Sequence, residues 1–214
     1  MDAIIIAGGK GSRMEIDVPK PLVIVRGKTL LEHQIDRLRA SGVISQIILS
    51  LGHRADEIID YIKNRYPTDT PIFSVETEFL GTAGGIKLAL AHATTPMVLA
   101  LNSDDILDID LDRLAQCAQH TVCVAHPRLP FGRVSEIDGF ATFEEKPLLP
   151  DWVSVGWYVF DREQIAPHLP EKGSLEYDVF PKIKLRMFPN EGFWCPLNTK
   201  KDIDTFEKGE EPGK

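Results

Sequence analysis

Cysteine is scarce in this chain and poorly placed for chemistry. Cys117, Cys123 and Cys195 are odd in number and show no paired-ligand spacing. That argues against a disulfide framework and a zinc site, and leaves them as small core or surface residues. Histidine offers no more: none of the six stands near a carboxylate or cysteine at ligand spacing, so no histidine chemistry is expected. Positive charge is short, with 24 Lys and Arg against 32 Asp and Glu and a net charge of -8. A surface of that sign does not attract nucleic acid or an anionic membrane, so any anionic ligand must be held locally. Long apolar runs are missing too. The run Ala3-Ile4-Ile5-Ile6 is far below the ~18 residues that span a bilayer, and no basic leader precedes it. The expected location is the cytoplasm, with no membrane partner. No internal repeat or low-complexity stretch appears.

What is present suits one globular domain with a real core: 214 residues, 43% hydrophobic and 26% charged. The domain is expected over 1–208, as a monomer or homodimer, with 209–214 as a frayed tail. Residues 2–7 read as a strand buried on both faces. Thr29 and Glu32 make a capping box before Leu31, Ile35 and Leu38, and Gly42 sits where that helix should stop. Strands over 44–51, 72–75, 97–101 and 121–125 then alternate with helices near Ile58, over 83–93 and over 111–118. This alternation predicts an α/β fold, a Rossmann-like, three-layer, open mixed sheet that is mostly parallel. From Gly132 short runs around Asp138-Gly139 predict a hairpin, a small β insertion closing over a site. A strand over 153–160, a helix near 162–168, a segment over 174–183 and a helix over 200–208 complete the reading.

Ala7-Gly8-Gly9-Lys10-Gly11-Ser12-Arg13 follows the first strand directly. Three glycines in four positions let backbone amides approach a phosphate, and Lys10 and Arg13 add charge. A tight turn is the alternative reading, and the stretch is no Walker loop, because no Gly-Lys-Ser/Thr ends it. In Pro19-Lys20-Pro21 two prolines limit where one ammonium can point. Together these segments resemble the signature of the sugar-phosphate nucleotidylyltransferases, with Ser12 where Thr is usual. The short linker resembles that of the amino-sugar uridylyltransferases. The resemblance implies that the loop from Ala7 to Ser12 wraps a nucleoside triphosphate, that Arg13 neutralises its β and γ groups, and that Lys20 bridges the phosphates at the reacting centre. The chemistry agrees: a sugar phosphate is already an ionised nucleophile, so attack on the α-phosphorus needs alignment and charge neutralisation and no general base.

Leu101-Asn102-Ser103-Asp104-Asp105 ends an apolar strand at the carboxyl edge of the sheet, where open α/β proteins place ligands. Magnesium needs few carboxylates plus phosphate oxygens. The family pattern falls on Asn102-Ser103-Asp104, which makes Asp104 the expected ligand of Mg2+, with Asp105 the runner-up. The stretch from Glu76 through Gly81 and Thr82 resembles the family's base-reading segment. A carboxylate can accept from two N–H donors of guanine, and the spelling is closest to the mannose and manno-heptose 1-phosphate guanylyltransferases; Glu78, like Glu76, could instead be a surface residue. Glu145-Lys146-Pro147 resembles the family's Glu-Lys-Pro, implying contacts to the sugar and its phosphate, and the strand carrying Ser154 and Gly156 would back the sugar. The chain departs from the family near Pro196, where an Asp is usual; Asn198 stands as a second magnesium ligand. Asp202 and Asp204 read as helix caps.

The implied partners are an NTP, GTP favoured, and a manno-type hexose or heptose 1-phosphate. A cytidylyl-, uridylyl- or thymidylyltransferase, a non-catalytic regulatory homologue and a glycosyltransferase stay open as alternatives.

Overall fold

The computed structural model describes residues 1–11, 14 and 17–209. The expectations placed on Ser12, Arg13 and tail residues 210–214 fall outside the described residues. In chain order the elements are β1 (Asp2–Ile6), β2 (Ile24–Val25), β3 (Lys28–Thr29), α1 (Leu30–Ala40), β4 (Ile47–Leu51), α2 (Ala55–Arg65), β5 (Ile72–Val75), α3 (Gly81–Leu90), β6 (Met97–Asn102), β7 (Asp105–Leu107) and α4 (Leu111–Ala115). There follow β8 (Thr121–Ala125), β9 (Arg133–Ile137), β10 (Phe140–Glu144), β11 (Val153–Asp161), α5 (Arg162–Ile165), β12 (Arg186–Pro189), β13 (Trp194–Pro196) and α6 (Lys200–Glu207). No helix among the described residues is long and apolar enough to cross a membrane.

Seven strands form one sheet in the order β12-β8-β11-β6-β1-β4-β5. The neighbours β1, β4, β5 and β6 run parallel, as do β8 and β12, while β11 runs antiparallel to both β6 and β8. The mostly parallel mixed sheet expected from the alternation is therefore present. After β5 the chain crosses back over β1 to form β6, so the switch point lies at the carboxyl ends of β1 and β6, where such sheets bind ligands.

Successive strand residues point to opposite faces, and each face has its own core. Ala3 and Ile5 of β1 join Leu31, Ile35 and Leu38 of α1, Ile58 and Ile62 of α2 and Leu114 of α4 on one side. Ile4 joins Ala83, Ile86 and Ala89 of α3 and Leu175 and Val179 on the other. Burying each such Leu or Ile stabilises the fold by roughly 1.5–3 kcal/mol. A third cluster ties the segment after the first loop to the chain's far end: Met14, Val23, Val25 and Leu30 pack on Cys195, Leu197, Ile203 and Phe206. It brings Lys20 and Asn198 to the same edge.

The capping box of α1 is formed, Thr29 Oγ1 accepting from Glu32 N at 3.1 Å and Glu32 Oε2 from Thr29 N at 2.7 Å. The hairpin β9–β10 turns at Asp138 (φ 52) and Gly139 (φ 82), the geometry of a type I′ turn. All ten of its strand residues are exposed. Its apolar residues explain why. Ile137 faces Phe140 across the ladder and Val134 faces Phe143, but the two pairs lie three residues apart along each strand, hence on opposite faces. Neither face is apolar enough to lie down on the body.

Candidate nucleotide and sugar-phosphate site

A cleft of about 300 Å3 opens at the switch point, lined by Ala7, Gly9, Gly11, Lys20, Asn102, Asp104 and Asn198 among others. The glycine-rich loop leaves β1 as Ala7 N donates to Ser50 O at 2.8 Å, and returns through Gly8 O, which accepts from His53 N at 3.1 Å. Gly11 has φ +60, and a Cβ there would stand 2.8 Å from Lys20 Cβ. Only glycine lets the loop and the lysine stem approach this closely. Pro19 and Pro21 flank Lys20 in a short 3-10 turn closed by Leu22 N to Pro19 O, 2.8 Å.

The Lys20 ammonium donates to Asp104 Oδ2 and, at 3.2 Å, to Asn198 Oδ1. Leu197 N donates to Asp104 O at 3.0 Å, which fixes Asn198 beside Asp104. One carboxylate and one amide carbonyl thus converge on a single point. Among the described residues no group of three or more His, Cys, Asp or Glu could hold a metal. These two hard oxygens suit a magnesium ion whose shell is completed by phosphate oxygens, so the residues fit that cofactor.

Asp105, the alternative ligand, turns away. Its Oδ1 accepts from Trp194 Nε1 at 2.9 Å, and it is buried. Burial lifts its carboxyl to about 7, with the Asp104 charge adding, against the hydrogen bonds of Trp194 and Asn102 and the Lys20 charge. Asp202 is a cap: its Oδ2 accepts from Thr199 N at 2.8 Å and Asn198 N at 3.1 Å.

A second cleft of about 660 Å3 lies on the face of β8 and β11, lined by Asn102, Trp152, Ser154, Gly156, Tyr158 and Glu176 together with apolar residues. Ser154 and Gly156 therefore line the same cleft. Gly156 takes φ +71 where the β8–β11 register shifts, and Ser154 Oγ binds Tyr158 OH at 2.9 Å. Asn102 lines both clefts. Neither Asn102 nor Glu176 was assigned a site role from the sequence, although the family pattern at the end of an apolar strand begins on Asn102.

The remaining expected residues do not line these clefts. Lys10 is exposed. Glu76 lies under the loop: a Cβ on Gly52 would be 2.2 Å, and one on Gly8 3.3 Å, from its Oε1, and its Oε2 accepts from Leu80 N at 3.1 Å. Burial raises its carboxyl, opposed by the Leu80 hydrogen bond. Glu78 points outward to Lys172, 3.2 Å away. Gly81 opens α3 at φ +75 against the Gly173 carbonyl, and Thr82 Oγ1 accepts from Leu175 N at 3.0 Å. Lys146 takes a left-handed φ of 44 beside Glu145, in a stretch pinned by Leu129 N to Pro147 O, 2.9 Å.

The chain belongs to the MobA-like NTP transferase domain family, which matches residues 3–170. This NTP transferase domain is 32% identical to the mannose-1-phosphate guanyltransferase of Emericella nidulans over 96% of this chain and 63% of that protein. It is 34% identical to the enzyme of the same name from Gibberella zeae, over 95% and 62%. The chain thus spans a little under two thirds of the length of these curated relatives. Among solved structures, HddC from Yersinia pseudotuberculosis complexed with GMP-PN is similar, with a TM-score of 0.78 and 25% identity over 97% of this chain and 98% of that one.

Proposed function

We propose that this chain transfers a nucleoside monophosphate from an NTP, GTP favoured, to a manno-type hexose or heptose 1-phosphate, yielding an NDP-sugar and pyrophosphate. The observation that carries the reading is the Lys20 ammonium enclosed between Asp104 and Asn198 at the mouth of the glycine-rich loop. A sugar-phosphate oxygen forms the new bond to the α-phosphorus while the bond from that phosphorus to the β-bridging oxygen breaks, and pyrophosphate leaves. Loop amides and Lys20 neutralise charge as the two anions meet, and the nucleophile needs no proton removed. Asp104 and Asn198 would hold magnesium, which supplies further charge neutralisation at the phosphates. The guanyltransferase names of the relatives and the GMP-PN complex of HddC support GTP. Glu145 and Lys146 are assigned to the sugar phosphate, and Glu76, Gly81 and Thr82 to the base side.

The test is pyrophosphate release with magnesium across GTP, CTP, UTP and dTTP, each against mannose, glucose, N-acetylhexosamine and heptose 1-phosphates. Turnover centred on GTP with a manno-type acceptor is expected. Silence across the grid, with nucleotide binding intact, would replace the enzyme by a nucleotide-binding regulator.

A further inference from the structure

Asp105 follows Asp104 directly, yet its side chain has no route to the phosphates. The residue is 7% exposed, and its position is fixed twice through the backbone: it pairs with Pro196 across β7 and β13, and its carbonyl accepts from Gln34 Nε2 at 2.7 Å. Its carboxylate takes two donors, Trp194 Nε1 at 2.9 Å and the side-chain amide of Asn102. Gly156 closes over this contact, since a Cβ there would lie 2.1 Å from Asn102 Nδ2 and 3.2 Å from Asp105 Oδ2.

The NH2 end of the Asn102 amide is the end turned to Asp105, because Asn102 Nδ2 and Asp105 Oδ2 meet beneath the same face of Gly156 and the amide donates there. With Nδ2 committed to Asp105, the carbonyl Oδ1 is the atom Asn102 offers to a ligand. Asn102 is also the residue common to the phosphate cleft and the wide cleft. An acceptor there lies between the cleft that would hold the phosphates and the one that would hold the sugar.

We infer that Asp105 is a positioning residue that orients Asn102 so that its carbonyl reads a hydroxyl donor on the acceptor sugar, on the carbon beside the 1-phosphate. This rests on the sugar 1-phosphate reading above and adds a specificity to it. Asp105 touches no substrate and acts through Asn102 alone.

The experiment compares a sugar 1-phosphate with its 2-deoxy counterpart by the ratio of kcat/KM. Asp105→Asn has one carbonyl oxygen for two donors, so its own NH2 must oppose one of them and the Asn102 amide loses its hold. The preference for the 2-hydroxy acceptor is expected to fall about tenfold, the loss of one well-placed hydrogen bond. KM for the sugar phosphate should rise while KM for the NTP stays put, and Asn102→Ala should lose the same preference. Trp194→Phe keeps the Asp105–Asn102 bond and should keep the preference, although it disturbs the same buried corner. A second readout needs no turnover: the Asn102 side-chain amide protons should exchange slowly in the wild type and quickly in Asp105→Asn. An active wild type whose ratio is unmoved by Asp105→Asn, or moved as far by Trp194→Phe, overturns the inference. A wild type silent with every substrate pair sinks the sugar 1-phosphate reading instead, and amide exchange still decides whether Asp105 holds Asn102.

Discussion

Lys20 donates to Asp104 Oδ2 across 84 positions of sequence, and both side chains are largely shielded from water, 16% and 20% exposed. Opposite charges enclosed together set each other's geometry. Removing either should therefore disable the same step. Lys20→Ala and Asp104→Ala should each lower kcat by roughly 10²–10³, with melting temperatures close to wild type, and the double variant should lose little more than the worse single one, because residues that act as a unit are not additive. Single-turnover pyrophosphate release on all three proteins measures this. Losses that multiply in the double variant would show that the two side chains work separately.

Two glycines with left-handed backbones give a contrast in stability. Gly139 has φ +82 at the hairpin tip with open space around it, whereas Gly156 has φ +71 and Asn102 Nδ2 at 2.1 Å from a built Cβ. Gly139→Ala should cost about 1–2 kcal/mol, the backbone strain alone, and leave turnover intact. Gly156→Ala adds an overpacking term of about 1–3 kcal/mol and pushes Asn102 from its place, so both the melting temperature and kcat/KM for the sugar phosphate should fall. Equal melting temperatures for the two would mean that the corner around Asn102 yields without cost.

Glu76 and Glu78 lie two residues apart and should behave differently. Glu78 is an outward partner of Lys172, with both side chains more than half exposed, and such pairs contribute about 0–1 kcal/mol. Glu76 is held by Leu80 N beneath the loop at Gly8 and Gly52. If it reads guanine, Glu76→Gln replaces an acceptor pair by one acceptor and one donor, and the preference for GTP over ITP should drop about tenfold, while Glu78→Gln leaves it unchanged. Competition kinetics with the two nucleotides decide between the two glutamates. Matching behaviour would remove Glu76 from the base site.

The parts of this fold legible in the sequence are those fixed by local signals. Thr29 and Glu32 cap α1 wherever that helix packs, and the Asp138-Gly139 turn needs only its own left-handed residues. Among the strands that went unread, β7, β12 and β13 are three or four residues long, and two of them contain proline. They exist because distant partners offer hydrogen bonds, as β8 does for β12. Likewise α3 begins at Gly81, ahead of the expected Ala83, because Ala83 N finds the Gly173 carbonyl at 3.0 Å. The expected segment over 174–183 splits into a π turn and a 3-10 turn, with Ser174 capping Tyr177 N at 3.2 Å. At the site, Lys20 and Asp104 carry motif spelling, but the link from Trp194 through Asp105 to Asn102 is visible only once β11 pairs with β6 and lays Gly156 over it.

Glu32 should govern the acid limb of stability. Its side chain is 6% exposed, and burial alone would raise its carboxyl. Thr29 N, the Arg65 guanidinium and Tyr61 OH at 2.9 Å outweigh burial and hold it at about 2, against an ordinary value of 4.5. The folded chain therefore binds this proton more weakly than the unfolded chain. The stabilisation is present above the unfolded value and drains away as pH falls from about 4.5 toward 2. At 1.36 kcal/mol per unit, and discounting for the half-exposed Arg65 side chain, it amounts to about 2 kcal/mol. Glu32→Gln keeps the shape but cannot carry the charge. Urea unfolding at pH 7, 5, 4 and 3 should show the variant less stable at pH 7 by about that amount, with the gap to wild type closing as the pH falls. A gap that stays constant down the series would assign the contribution of Glu32 to its shape and its cap, and remove its ionisation from the acid response.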